Sequence, residues 1–92
     1  MAALIPGRIA ATGQMLPAAR AGVLHTVVLV GGSANATLTI YDNATTASGT
    51  VVAQLAALAN DSRSINLDRV AFSNGLWGVL AGTGAAAIAY FE

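Results

Sequence analysis

One histidine, no cysteine and four carboxylates make up nearly all the reactive side chains of this chain of 92 residues. The histidine is His25 and the acids are Asp42, Asp61, Asp68 and Glu92. One imidazole is enough for a serine nucleophile oriented by an aspartate, so that chemistry comes first. No Gly-x-Ser-x-Gly elbow is present to raise a serine at a strand-to-helix turn. His25 lies inside the apolar run GVLHTVVLV, where a hydrogen-bonded structural imidazole, or one at a subunit contact, is the expected role. Zinc and calcium sites need several N, S or O donors close together, which one His, no Cys and four scattered acids do not supply. Copies of His25 or Asp42 meeting on a symmetry axis are the remaining route to a metal. The expectation is no catalytic, cofactor or metal residues, and no enzyme.

Two further patterns have chemical precedents. Gly82, Gly84 and Ala87 in AGTGAAA fit the dinucleotide-binding spacing, but the sequence after Ala87 is too short for the helix and second strand that hold a dinucleotide. The pattern reads as a glycine-rich turn. Asn35-Ala36-Thr37, Asn43-Ala44-Thr45 and Asn60-Asp61-Ser62 fit the glycosylation pattern, and with no secretion signal they read as turn chemistry. Trp77 and Tyr41 offer flat aromatic faces suited to a small ligand or sugar, or to packing at an interface.

The elements that must position these residues are strands. Apolar residues alternate in seven short bursts separated by turn residues, the mark of an all-β sandwich or barrel. The bursts are Gly7 to Gln14, Gly22 to Val30, Ala36 to Tyr41, Thr50 to Leu55, Ser64 to Leu67, Leu76 to Ala81, and Ala85 to Phe91. Gly22 to Val30 is apolar on both faces and reads as a central strand. A short helical turn after Leu55 stays open because of AALA. Asp42 to Gly49 reads as a corner whose Asp, Asn, Thr and Ser side chains hydrogen-bond their own backbone, with Asp42 as turn former. The last two bursts, joined by Gly82-Thr83-Gly84, read as a hairpin in the core. Residues 1–20, with Pro6 and Pro17, read as an N-terminal arm and edge strand beside a sandwich domain at 21–92.

Composition then points to assembly. Charged residues are 9% and hydrophobic ones 55%, there is no Lys, and the net charge is zero. An ordinary soluble domain has about 25% charged residues, so a lone subunit is expected to self-associate. The four arginines, Arg8, Arg20, Arg63 and Arg69, form no basic stripe, which argues against nucleic acid. Polar and glycine residues break every apolar run, which argues against a membrane-spanning helix. Arg63 and Arg69, near Asp61 and Asp68, are candidates for ion pairs that set subunit register.

The segments GVLHTVVLVGGSANATLTIYDNATTASGTVVAQLAAL and VAFSNGLWGVLAGTGAAAIAYF together resemble a group of small all-β virion proteins of tailed bacteriophages. The matching signatures are the G-V-L-H strand at Gly22 to His25, the corner at Leu38 to Thr50, the turn at Phe72 to Leu76, and the last strand ending in an aromatic. The resemblance implies a small antiparallel β-sandwich, jelly-roll or immunoglobulin-like, and a non-enzymatic structural role in the virion, made in the host cytoplasm. The expected role is a capsid decoration (cement) protein, a homo-oligomer with a trimer favoured, bound to the major capsid protein or other virion proteins. The alternatives are a head-to-tail connector, tail or fibre component, and a carbohydrate-binding module on the particle. The expected interface residues are Ile5, Arg8, Met15, Leu16, His25, Tyr41, Arg63, Arg69 and Trp77.

Overall fold

The structure, a computed structural model, describes residues 4–16 and 20–92, with the backbone alone at Asp68. Eight strands follow one another: β1 (Ile5–Ile9), β2 (Gly13–Gln14), β3 (Gly22–Val30), β4 (Ala36–Tyr41), β5 (Val51–Ala57), β6 (Ser62–Phe72), β7 (Trp77–Ala81) and β8 (Ala86–Phe91). Among the described residues there is no helix. They form two four-stranded antiparallel sheets, β1-β8-β3-β6 and β2-β7-β4-β5. Hereafter these are the first and second sheets.

This is an all-β sandwich, and its strand order is that of the jelly roll rather than the seven-stranded immunoglobulin sandwich. The pairs β1–β8, β2–β7, β3–β6 and β4–β5 are nested, so the chain is one long hairpin whose two legs have been rolled up together. The tip of that hairpin is Asp42 to Thr50.

The sequence boundaries hold for β3 and β4 and need correction elsewhere. Gly7 to Gln14 divides between two strands in different sheets. Only the first half of AALA is strand: β5 runs to Ala57, its alternation placing Ala53 and Ala57 in the core and Ala56 outside, and the chain then turns at Ala59 and Asn60 without forming a helix. In place of the four residues Ser64 to Leu67, β6 runs for 11 residues. The expected hairpin of the last two strands is overturned: β7 pairs with β2 and β4, whereas β8 pairs with β1 and β3. Gly82 has a φ of 119° and an added Cβ there would lie 2.6 Å from the Asn35 carbonyl oxygen, so only glycine lets the chain cross between sheets at this point.

The core lies between the inner faces. Leu24, Val27, Leu29, Ala87, Ala89 and Phe91 come from the first sheet and Leu38, Ile40 and Ala53 from the second. Phe72 meets Phe91 edge-to-face, with centroids 6.4 Å apart and planes at 72°. Among the described residues no polar or charged side chain is fully buried. The core is therefore held by apolar burial and shape, without an internal polar network.

Within the 1–20 segment, β1 and β2 are hydrogen-bonded edge strands of the two sheets. Residues 1–3 and 17–19, which include Pro17, lie outside the described residues.

Candidate functional site

The inner faces are alike, so the outer faces distinguish the two sheets. On the second sheet, alternation turns Thr37, Thr39 and Tyr41 outward from β4, and Trp77, Val79 and Ala81 outward from β7. Register sets these side chains in rows. Trp77 is opposite Tyr41 across β7–β4, with Gln14 beyond Trp77 and Val51 beyond Tyr41. The next row is Val79, Thr39 and Gln54. No strand of this sheet carries a charged residue. A shallow depression of about 350 Å³ is lined by Thr37, Thr39, Gln54, Leu55 and Ala56. Hydroxyl and amide groups thus sit one row from a half-buried aromatic pair.

Hydrogen bonds from outside the strands fix this face. The Thr12 hydroxyl donates to the Leu80 carbonyl at 3.2 Å and accepts from the Leu80 N–H at 3.0 Å, and the Met15 N–H donates to the Leu76 carbonyl at 2.8 Å. Both extend the short β2 along β7.

At the end of β4, Asp42 is not the turn former that the sequence suggests. Its carboxylate accepts from the N–H of Ser73 (3.0 Å) and of Asn74 (2.8 Å), in the β6–β7 connection. The local role belongs to Asn43, whose Oδ1 accepts from the N–H of Thr45 and Thr46 and whose Nδ2 donates to Ser48. A carboxylate accepts several N–H bonds and Asn43 supplies both donor and acceptor, which accounts for the division of labour. Gly75 completes the clasp: with a φ of 148°, it has Ala44 Cα only 3.1 Å from where a Cβ would stand. The corner and the Phe72 to Leu76 turn, two separate motifs in sequence, are two halves of one contact.

The first sheet's outer face is different. His25 sits at a β-bulge between Leu24 and Thr26, where the extra residue re-aims the side chain. Its Nε2–H donates to the Glu92 carboxylate, which also lies 3.5 Å from the Arg69 guanidinium. Backbone bonds to Val23, at 2.9 and 3.1 Å, hold Glu92 in place. Arg69 is 63% exposed, so its pair is solvent-screened and weak.

The nine expected interface residues do not form one patch. Tyr41 and Trp77 stand opposite each other in register on the second sheet. His25 and Arg69 meet through Glu92 on the first, and Arg8 faces outward from β1 opposite Ile88. Ile5 is exposed at the edge, and Arg63 lines the seam between β5 and β6. Met15 and Leu16 need correction: at 3% and 5% exposure they fill the core of the single chain and offer no surface. Of the expected Arg–Asp pairs, Arg69 takes Glu92, while the Asp61 carboxylate accepts from the Ser62 N–H. A pair with Asp68 falls on a side chain outside the described ones. Sequence reasoning missed Glu92, Thr12 and the Asp42 contacts, all of which join residues far apart in the chain.

Among the described residues no group of three or more His, Cys, Asp or Glu could hold a metal, and no helix is long and apolar enough to cross a membrane. No family model matches the chain, and no match is found among curated proteins or solved structures.

Proposed function

We propose that this chain is a non-enzymatic structural subunit of a bacteriophage virion that binds the capsid shell as a decoration protein. The observation that carries the reading is the outer face of the second sheet, whose four strands contain no charged residue in a chain already poor in charge. A face with Trp77, Tyr41, Val79 and Val51 on strands without an ionic residue gains free energy when a partner covers it, by roughly 25 cal/mol per Å² of apolar area. Aromatic residues on a rigid sheet are suited to anchor such a contact. The resemblance of the corner and turn motifs to small virion proteins supports a partner within the virion, and the shell is the one proposed here.

Mixing the purified chain with phage particles lacking it, pelleting the particles and measuring bound copies against the major capsid protein tests this. Decoration gives many copies per particle. A copy number matching one ring favours the connector, a few copies favour a fibre tip, and no binding overturns the reading. The carbohydrate-binding alternative is favoured by one arrangement, the Trp77–Tyr41 pair beside the hydroxyl and amide of Thr39 and Gln54. Glycan binding that Trp77→Ala abolishes, in a chain that does not bind the shell, would establish it.

A further inference from the structure

A jelly roll has four edge strands, and here three of them are blocked. β2 is two residues long, β1 contains Pro6 and Arg8, and β6 carries Arg63 and Arg69. Short length, proline and charge are the features that prevent one sheet edge from pairing with another. β5 has none of them: its seven residues, VVAQLAA, include no charge, no proline and no glycine. It pairs with β4 on one side and, among the described residues, with no strand on the other. Its bulge, opposite Ile40 and Tyr41, lies at one end and leaves Ala53 to Ala57 in unbroken register. The open side adjoins a recess of about 270 Å³ lined by Gln54, Leu55 and Ala56 together with Arg63, Ser64 and Ile65 of β6.

We infer that β5 pairs antiparallel with β5 of a second copy, about a two-fold axis close to Gln54, joining the second sheets of two subunits into one eight-stranded sheet. The backbone of an open edge selects a strand as its occupant, and the side chains select another copy of this one. Val51 and Leu58, at 47% and 61% exposure, are the most exposed large apolar residues described; Val51 begins β5 and Leu58 follows its last residue. An antiparallel copy sets the Leu58 end of each strand beside the Val51 end of the other, so both are covered twice over by one contact. Gln54, the middle residue of the strand, meets its own copy near the axis, where an amide both donates and accepts. The pairing uses the edge of both copies and closes as a dimer. It also makes the two uncharged outer faces continuous, which extends the surface assigned above to the shell. The inference deepens that assignment but does not depend on the shell being the partner.

The test is the mass of the purified chain by light scattering after size exclusion, at rising concentration. The expected species is twice the 9.1 kDa chain. Gln54→Lys and Gln54→Glu, each alone, place like charges across the axis and shift the chain to monomer at concentrations where the parent is dimeric. Mixed in equal amounts, the two variants recover the dimer, which a general loss of folding would not allow. Leu58→Asp, at an exposed site, gives the same loss with an unchanged circular dichroism spectrum. Ala10→Lys, in the exposed β1–β2 connection at the opposite edge of the sandwich, leaves the dimer intact. A monomeric or trimeric parent, a Gln54→Lys dimer, or no recovery on mixing overturns the pairing. Because no phage particle is involved, failure here is distinct from failure of the shell-binding assay.

Discussion

Both sheets give an apolar inner face to one core, yet their outer faces differ in kind. The first sheet carries Arg8, His25 and Arg69 there, with Glu92 just after its last strand and Arg63 at its edge in the seam with β5, while the strands of the second carry no charge at all. A sandwich needs both inner faces to be apolar, so the core cannot explain this asymmetry. Hydration of a free surface would favour charge on both outer sides. Coverage of the second sheet by a partner, as proposed above, would account for the difference.

If the inner faces are equivalent, truncation on either should be equally severe. Phe91→Ala in the first sheet and Leu38→Ala in the second, both at 0% exposure, are expected to cost about 3–5 and 2–5 kcal/mol. Urea denaturation measures both; a mild loss at one would break the equivalence. Next comes Asp42→Ala, which strips charge-assisted acceptors from the Ser73 and Asn74 amides and should cost about 2–3 kcal/mol, with Asp42→Asn milder. Trp77→Ala follows, because its ring is half-buried on the outer side. About 1–2 kcal/mol of stability is expected to go, with a much larger loss of shell binding. Full unfolding of that variant would instead make Trp77 a core residue. The smallest effect belongs to Glu92→Gln, which weakens the pairs to His25 and Arg69 and should move the urea midpoint by less than about 1 kcal/mol of stability. A larger effect would give the charged face a structural role that the comparison denies it.

How legible the molecule is from sequence follows from where the information sits. β3 and β4 were readable because dense apolar alternation with β-branched residues is a local signal. β6 was not, since SRSINLDRVAF lies on an edge, where polar residues outnumber the alternating Ile65, Leu67 and Val70. The β7–β8 hairpin misled because sequence neighbours usually pair, whereas a jelly roll sends them to opposite sheets. Tyr41 and Trp77 were legible as residue types but not as partners. The Asp42 clasp spans 31 residues or more, and the His25–Glu92 pair spans 67, with no periodicity to mark either. The blocked and open edges became visible only once the sheet order was known.

The nesting of the strand pairs also bears on how the chain folds. The loop between β4 and β5 is the shortest that any of the nested pairs must close, and the β1–β8 pair requires the longest. Closure entropy rises with loop length, so ordering starts at the tip and moves outward along both legs. The Asp42 clasp needs the tip and the β6–β7 connection already placed, and so it is expected to form late in folding. Asp42→Ala should therefore quicken unfolding in stopped-flow measurements while leaving the refolding rate nearly unchanged. That outcome would make this carboxylate a latch on escape, setting the lifetime of the native state rather than the speed of reaching it.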